Sequence, residues 1–164
     1  MPKHVLYSLY VTLILPYLSY CNIVWATKET TQIKKWLILQ KKAIRVTTHS
    51  RWNSHTSLLF RSKSILKLND LNTLLVGCYM YSAMHTVLPA AFHDWFIKNS
   101  SIHTYSTRRC NNIHHITCGT QVKQFSLKVY GYKIWNDIPY HIRDWNSSLS
   151  FKRQFKLLLL GTYV

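Results

Sequence analysis

His103, Cys110, His114, His115 and Cys118 are the one place where imidazoles and thiols gather, and two thiolates with two imidazoles make a tetrahedral zinc set. Their spacing lacks the Cys-x2-Cys knuckle on which such sites are usually built. The stretch therefore reads as a solvated His-rich loop, and zinc on His103, Cys110, His114 and Cys118 stays open as the alternative. Two-metal phosphoryl chemistry needs carboxylates side by side, because the cations must be held by negative ligands. The five acidic residues, Glu29, Asp70, Asp94, Asp137 and Asp144, are scattered, and each suits a helix N-terminus or a turn. Gly77, Gly119, Gly131 and Gly161 stand too far apart for a glycine-rich phosphate loop, and no Gly-x-Ser-x-Gly elbow occurs. No catalytic residue and no cofactor is assigned to this chain.

What remains is charge. Lys and Arg number 21 against 5 Asp and Glu, and a net charge of +16 repels itself unless a polyanion is near. Nucleic acid is the first candidate partner and an anionic membrane surface the second. The 6 Trp, 11 Tyr and 6 Phe lie among the basic residues, where aromatic faces can stack on bases. The densest cationic run is a helix expected over Thr31 to Val46. With Ile33 as origin, Trp36, Leu37, Gln40, Ala43 and Ile44 fall within about 80° of it as a core stripe. Lys34, Lys35, Lys41, Lys42 and Arg45 gather opposite. Lys34, Lys41, Lys42 and Arg45 are the candidate phosphate contacts, Arg51 and Trp52 in the next loop are secondary ones, and Arg108 and Arg109 stand further along. Trp25, Trp36 and Trp135 lie in apolar runs and are expected in cores.

The elements that must position these residues are mostly helical. No Asp, Glu, Lys or Arg occurs between Lys3 and Lys28, a stretch long enough to span a bilayer. Pro16 and the dispersed Ser, Thr, Asn and Tyr favour two core helices instead, the first from Lys3 to about Leu15. After the basic helix, Thr48 to Ser57 is a polar loop. A short helix follows near His55 to Arg61, then a buried one capped by Asn69 and running to about Val87, with Leu71, Leu74, Leu75 and Cys78 at helical spacing. Ala90 to Phe96 is a short helix behind Pro89, and Lys98 to Gly119 is irregular. Val122 to Tyr130 alternates as strands do, Gly131 reads as a turn, and Lys133 to Ile138 is a helix ended by Pro139. Ser150 caps a last helix with Phe151, Phe155, Leu158 and Leu159 inward, and Lys152, Arg153 and Lys156 outward. The fold class is mainly α: a helical thumb-like lobe over 1–97, an irregular linker over 98–121 and a small α+β lobe over 122–164. Cys21 and Cys78 sit in apolar runs as small buried thiols, and the four cysteines form no framework, which suits a reducing compartment, nucleus or cytoplasm.

Several strings resemble the region after the palm in reverse transcriptases of LINE-type (non-LTR) retrotransposons of the jockey kind. They are LPYLSYCNIVWA (Leu15 to Ala26), LQKKAIR (Leu39 to Arg45), LLFRSKSILKLND (Leu58 to Asp70), the Tyr-x-Thr-Arg of Tyr105 to Arg108, KIWNDIPYHIR (Lys133 to Arg143) and SFKRQFKLLLL (Ser150 to Leu160). The match is in order and spacing over about residues 5 to 160; it departs where the family's Gly-Pro before Trp-Asn reads Gly131-Tyr132. The resemblance implies a thumb and post-thumb fragment of an RNA-directed DNA polymerase of a mobile element. It would grip RNA and DNA as a template-primer duplex and partner a palm encoded upstream, Met1 being an internal methionine of a longer frame. The paired catalytic aspartates would lie in that palm, leaving this chain inactive alone. Two alternatives stay open on sequence: a membrane-anchored basic protein with residues 5–25 in the bilayer, and a decayed reading frame.

Overall fold

The structure, a computed structural model, describes residues 2–26, 31–103, 105 and 107–163. Glu29 lies outside them. The fold is mainly α, and among the described residues the β pairing is one isolated antiparallel bridge between Lys98 and Ile113. The chain forms two compact units, Met1–Asn72 with Lys156–Val164, and Thr73–Phe155. The lobe boundaries expected at 97/98 and 121/122 both fall inside the second unit.

The first unit opens with α1 (Lys3–Leu9), a π-helical turn (Tyr10–Ile14), α2 (Leu15–Ser19) and α3 (Asn22–Trp25). Pro16 was expected to break this helix. The wider π turn instead places it within the first two residues of α2, where its missing N–H costs no ladder bond. The break comes at Cys21, whose positive φ of 46° turns the chain and leaves its thiol exposed rather than buried. Next come α4 (Thr31–Thr48), α5 (Ser57–Ser62) and the start of α6 (Leu68–Met84). Asn69 is the second residue of α6, not its cap. Gln40, fully buried, ties these segments together: its amide Nε2 donates to the Tyr10 hydroxyl and the Leu66 carbonyl, each at 3.0 Å, and its Oε1 accepts the Leu68 N–H at 2.9 Å. A second buried amide pair has Asn72 Nδ2 donating to Asn22 Oδ1 at 3.0 Å. The C-terminal Tyr163 is buried beside Phe60, donates to Asp70 at 2.5 Å and accepts the Lys67 N–H at 2.9 Å.

The second unit holds the rest of α6, 3-10 turns at Ala90–Trp95 and Asn99–Ser101, α7 (Gln121–Gln124), α8 (Leu127–Asp137), α9 (Tyr140–Arg143) and the start of α10 (Ser148–Gly161). The strands expected over 122–130 are helix. Thr120 caps α7, its hydroxyl accepting the Lys123 N–H, and Val129, Tyr132 and Trp135 are buried at helical spacing, which a nine-residue window shares with alternation. Gly131 is mid-helix and buried rather than a turn. A Cβ there would lie 2.7 Å from Met80 Sδ, so close packing selects the glycine. The last helix starts at Ser148, two residues before the expected cap. Phe151, Phe155 and Leu160 are buried, whereas Leu158 faces outward at 40% exposure.

The described residues of 98–119 are mostly irregular, as expected, but tied down at several points. Asn99 N–H donates to the Asn112 carbonyl, Ser100 N–H to that of Cys110, and His114 N–H to that of Ile97, at 2.8 to 2.9 Å. Asn136 of α8 clamps the same segment, accepting the Ile113 N–H and donating to its carbonyl, both at 3.0 Å.

Candidate nucleic-acid interface

α4 buries Ile33, Gln40, Ile44 and Thr47 on one narrow side, with Leu37 half-buried between the first two. Lys34, Lys35 and Lys42 are exposed, and Lys41 is half-buried on the flank. None of the four has a hydrogen-bond or ion-pair partner among the described residues. Their charge is uncompensated among the described residues and available to an anion.

The end of α4 determines what lies beside these lysines. His49 takes the left-handed position that glycine usually fills, with φ 54°. Its N–H bonds the Val46 carbonyl at 3.1 Å, and the Ser50 N–H bonds that of Arg45 at 2.9 Å, a Schellman closure that turns the chain back. Arg45 then holds the returning loop, its Nε donating to the Ser54 carbonyl at 3.1 Å. The result is a cleft of about 870 Å³ walled by Lys42, Arg45, Val46, His49 and Trp52, with Leu6 at its edge. Trp52 is 86% exposed, an indole offered to solvent beside two cations. Arg51 next to it is exposed as well.

Of the eight sequence candidates, Lys42, Arg45 and Trp52 share this cleft; Lys34 and Lys41 lie elsewhere on α4, and Arg51 flanks Trp52. Arg45 is a correction in part, since one of its donors is spent on the loop. Arg108 and Arg109 belong to the second unit and are both exposed there. The core placement expected for Trp36 does not hold, because it is 44% exposed; Trp25, 36% exposed, leaves the core with it, and Trp135 is buried. What the charge pattern concealed is that the outward face of α4 also carries Ile38, Leu39 and Val46, exposed at 52%, 62% and 62%. The helical wheel already sets these three on the lysine side, and attention to the cations alone passes over them.

In the second unit, the His103 and His114 rings lie edge to face with centroids 6.3 Å apart, and Cys110 and Cys118 are free thiols. Among the described residues no three His, Cys, Asp or Glu side chains come together as a metal-holding group. Burial, with the Cys118 thiol nearby, pushes the Tyr132 phenol above its ordinary value.

No family model, curated protein or solved structure matches the chain. Among the described residues no helix is long and apolar enough to cross a membrane.

Proposed function

We propose that this chain is a nucleic-acid-binding thumb fragment of a LINE-type RNA-directed DNA polymerase, gripping a template-primer duplex through phosphate contacts and carrying no polymerase chemistry of its own. The observation that supports it best is the cleft at the end of α4, where Lys42, Arg45 and Trp52 converge from a helix and its returning loop. Cations beside an exposed indole suit a polyanion that also offers flat bases, and Lys34 and Lys41 extend the cationic track along the helix. Binding of this kind positions the duplex without reading its sequence. The interleaved Ile38, Leu39 and Val46 give the track apolar contacts to sugars.

A second feature fits the same proposal. Leu9, Leu13, Tyr17, Tyr20 and Val24 expose 39 to 77% of their surface along α1 to α3, a concentration of exposed apolar side chains in one stretch of chain. In the proposed parent this stretch is what the palm would cover. The test is binding of RNA–DNA hybrid and DNA duplexes of several sequences to the purified chain. Affinity that varies little with sequence and falls steeply with salt is expected; salt-independent binding, or none, overturns the proposal.

A further inference from the structure

The second unit contains a cavity of about 640 Å³, a size that holds a small ligand. Its wall is formed by described residues between Asn99 and His115 on one side and by the end of α8 on the other. Among its described lining residues the formally charged groups are one guanidinium, Arg109, and one carboxylate, Asp137. Arg109 lines it, and its guanidinium has no hydrogen-bond or ion-pair partner among the described residues. His103 and His114 line it too. Asn99 donates its amide Nδ2 to the Arg109 carbonyl at 3.0 Å, so its Oδ1 accepts from His114 Nδ1–H at 3.2 Å, and Nε2 is left as the free nitrogen of that ring.

Two further groups narrow the ligand. Tyr132, 4% exposed, lines the cavity and its hydroxyl has no partner among the described residues, although a buried hydroxyl left unbonded is costly. Asp137, the only carboxylate among the described lining residues, also has no partner among the described residues. A carboxylate in the same wall as a guanidinium repels a ligand that is anionic throughout but accepts from one that also carries hydroxyls. The rings of Tyr105, 81% exposed, and of His115, packed edge to face on Tyr132 at 5.4 Å, offer flat faces at the same wall.

We propose that this cavity binds a phosphorylated nucleoside, either free or as the 5′ end of a strand, with Arg109, His103 and His114 on the phosphate, Asp137 on the sugar hydroxyls and Tyr132 donating to the ligand. The assignment is independent of the reading of α4. It uses none of the residues of that helix. A guanidinium fork matches phosphate oxygens, an imidazole nitrogen adds a donor there when it carries a proton, and an aromatic face matches any base.

The test is titration of the full chain with a nucleoside 5′-monophosphate, the same nucleoside without phosphate, and inorganic phosphate. The monophosphate is expected to saturate, and the nucleoside to bind at least about tenfold more weakly, because the charge-assisted bonds are gone. Arg109→Gln is expected to weaken the monophosphate about tenfold and to leave the nucleoside unchanged. Tyr132→Phe separates ligand binding from structure: it should lower affinity by about threefold to tenfold while leaving the melting temperature equal or higher, since it removes an unbonded buried hydroxyl. A 5′-phosphorylated oligonucleotide that outbinds both its 5′-hydroxyl form and the free monophosphate identifies a strand end as the source. A free monophosphate that binds as tightly identifies a mononucleotide. Equal binding of nucleoside and monophosphate, unchanged affinity in both variants, or no saturation by any of these ligands overturns the proposal.

Discussion

Trp36 of α4 lies against Trp25 of α3 with ring centroids 5.7 Å apart and planes tilted by 43°, and neither indole is buried. The Trp25 Nε1–H is satisfied by the Tyr20 carbonyl at 2.8 Å, so the pair needs no core to complete its bonding. Two large rings thus meet at the surface of the first unit and join α3 to α4 across the residues between them.

Trp36→Ala should therefore cost about 1 kcal/mol rather than the roughly 3 to 5 kcal/mol of a fully buried aromatic. Denaturant unfolding of the single and double variants gives the pair energy, expected at about 0.5 to 1.5 kcal/mol. A loss above about 3 kcal/mol for Trp36→Ala would show that the ring is buried after all.

Gln40→Met should be far more damaging although it keeps the side-chain length. It strands the Tyr10 hydroxyl, the Leu66 carbonyl and the Leu68 N–H in a dry interior, a loss of about 3 kcal/mol. Adding Tyr10→Phe removes one stranded group, so the double variant should lose less than the sum of the two single changes. Strict additivity in thermal or urea unfolding would mean that Gln40 and Tyr10 are not coupled.

The contrast between Trp36 and Gln40 shows what the chain discloses before it is folded. The helical period of 31–48 was legible, and so was its cationic side, because both are properties of one element read alone. Which flank of the stripe goes inward depends on partners elsewhere in the chain. Gln40 is buried because Tyr10 and residues 66 to 68 converge on it, and nothing in the helix itself announces them. Val122 to Tyr130 failed for another reason: alternation and helical spacing coincide over so short a window, and only Thr120 as a cap favours the helix. The cleft beside Trp52 was half legible. Lys42, Arg45 and Trp52 were named, but the turn at His49 that gathers them uses a non-glycine residue at positive φ, for which composition gives no signal.

Tyr163 gives the first unit a pH dependence at the alkaline end. Burial, together with its bond to the Asp70 carboxylate, raises the phenol well above its ordinary value. The folded value thus exceeds the unfolded value of about 10. The stabilisation from the protonated phenol is complete below that pH and is lost as the pH climbs toward the folded value. The melting-temperature advantage of the wild type over Tyr163→Phe should accordingly be flat near neutrality and shrink between about pH 9 and about pH 11. A gap that stays constant through that range would mean that the phenol titrates alike in both states.

The outward face of α4 is the feature on which the proposed function stands or falls. Each lysine that pairs with a phosphate releases condensed counterions, so the slope of log affinity against log salt counts the pairs. Lys34 and Lys42 are both exposed and unpartnered among the described residues, which makes Lys34→Gln with Lys42→Gln a substitution the fold should tolerate. The double variant is expected to lose about 1.5 to 2 units of slope magnitude, at roughly 0.9 per phosphate on B-form duplex. Arg45→Gln is the less clean probe, since it also releases the loop held at the Ser54 carbonyl and should cost about 1 kcal/mol of stability. Trp52→Ala should leave both slope and stability unchanged, its ring being 86% exposed, and weaken single-stranded or frayed ends by about 1 to 3 kcal/mol if it stacks on a base. A folded double-Gln variant with an undiminished slope would show that the lysines of α4 are a solvated surface, and the proposed grip on duplex would fall with them.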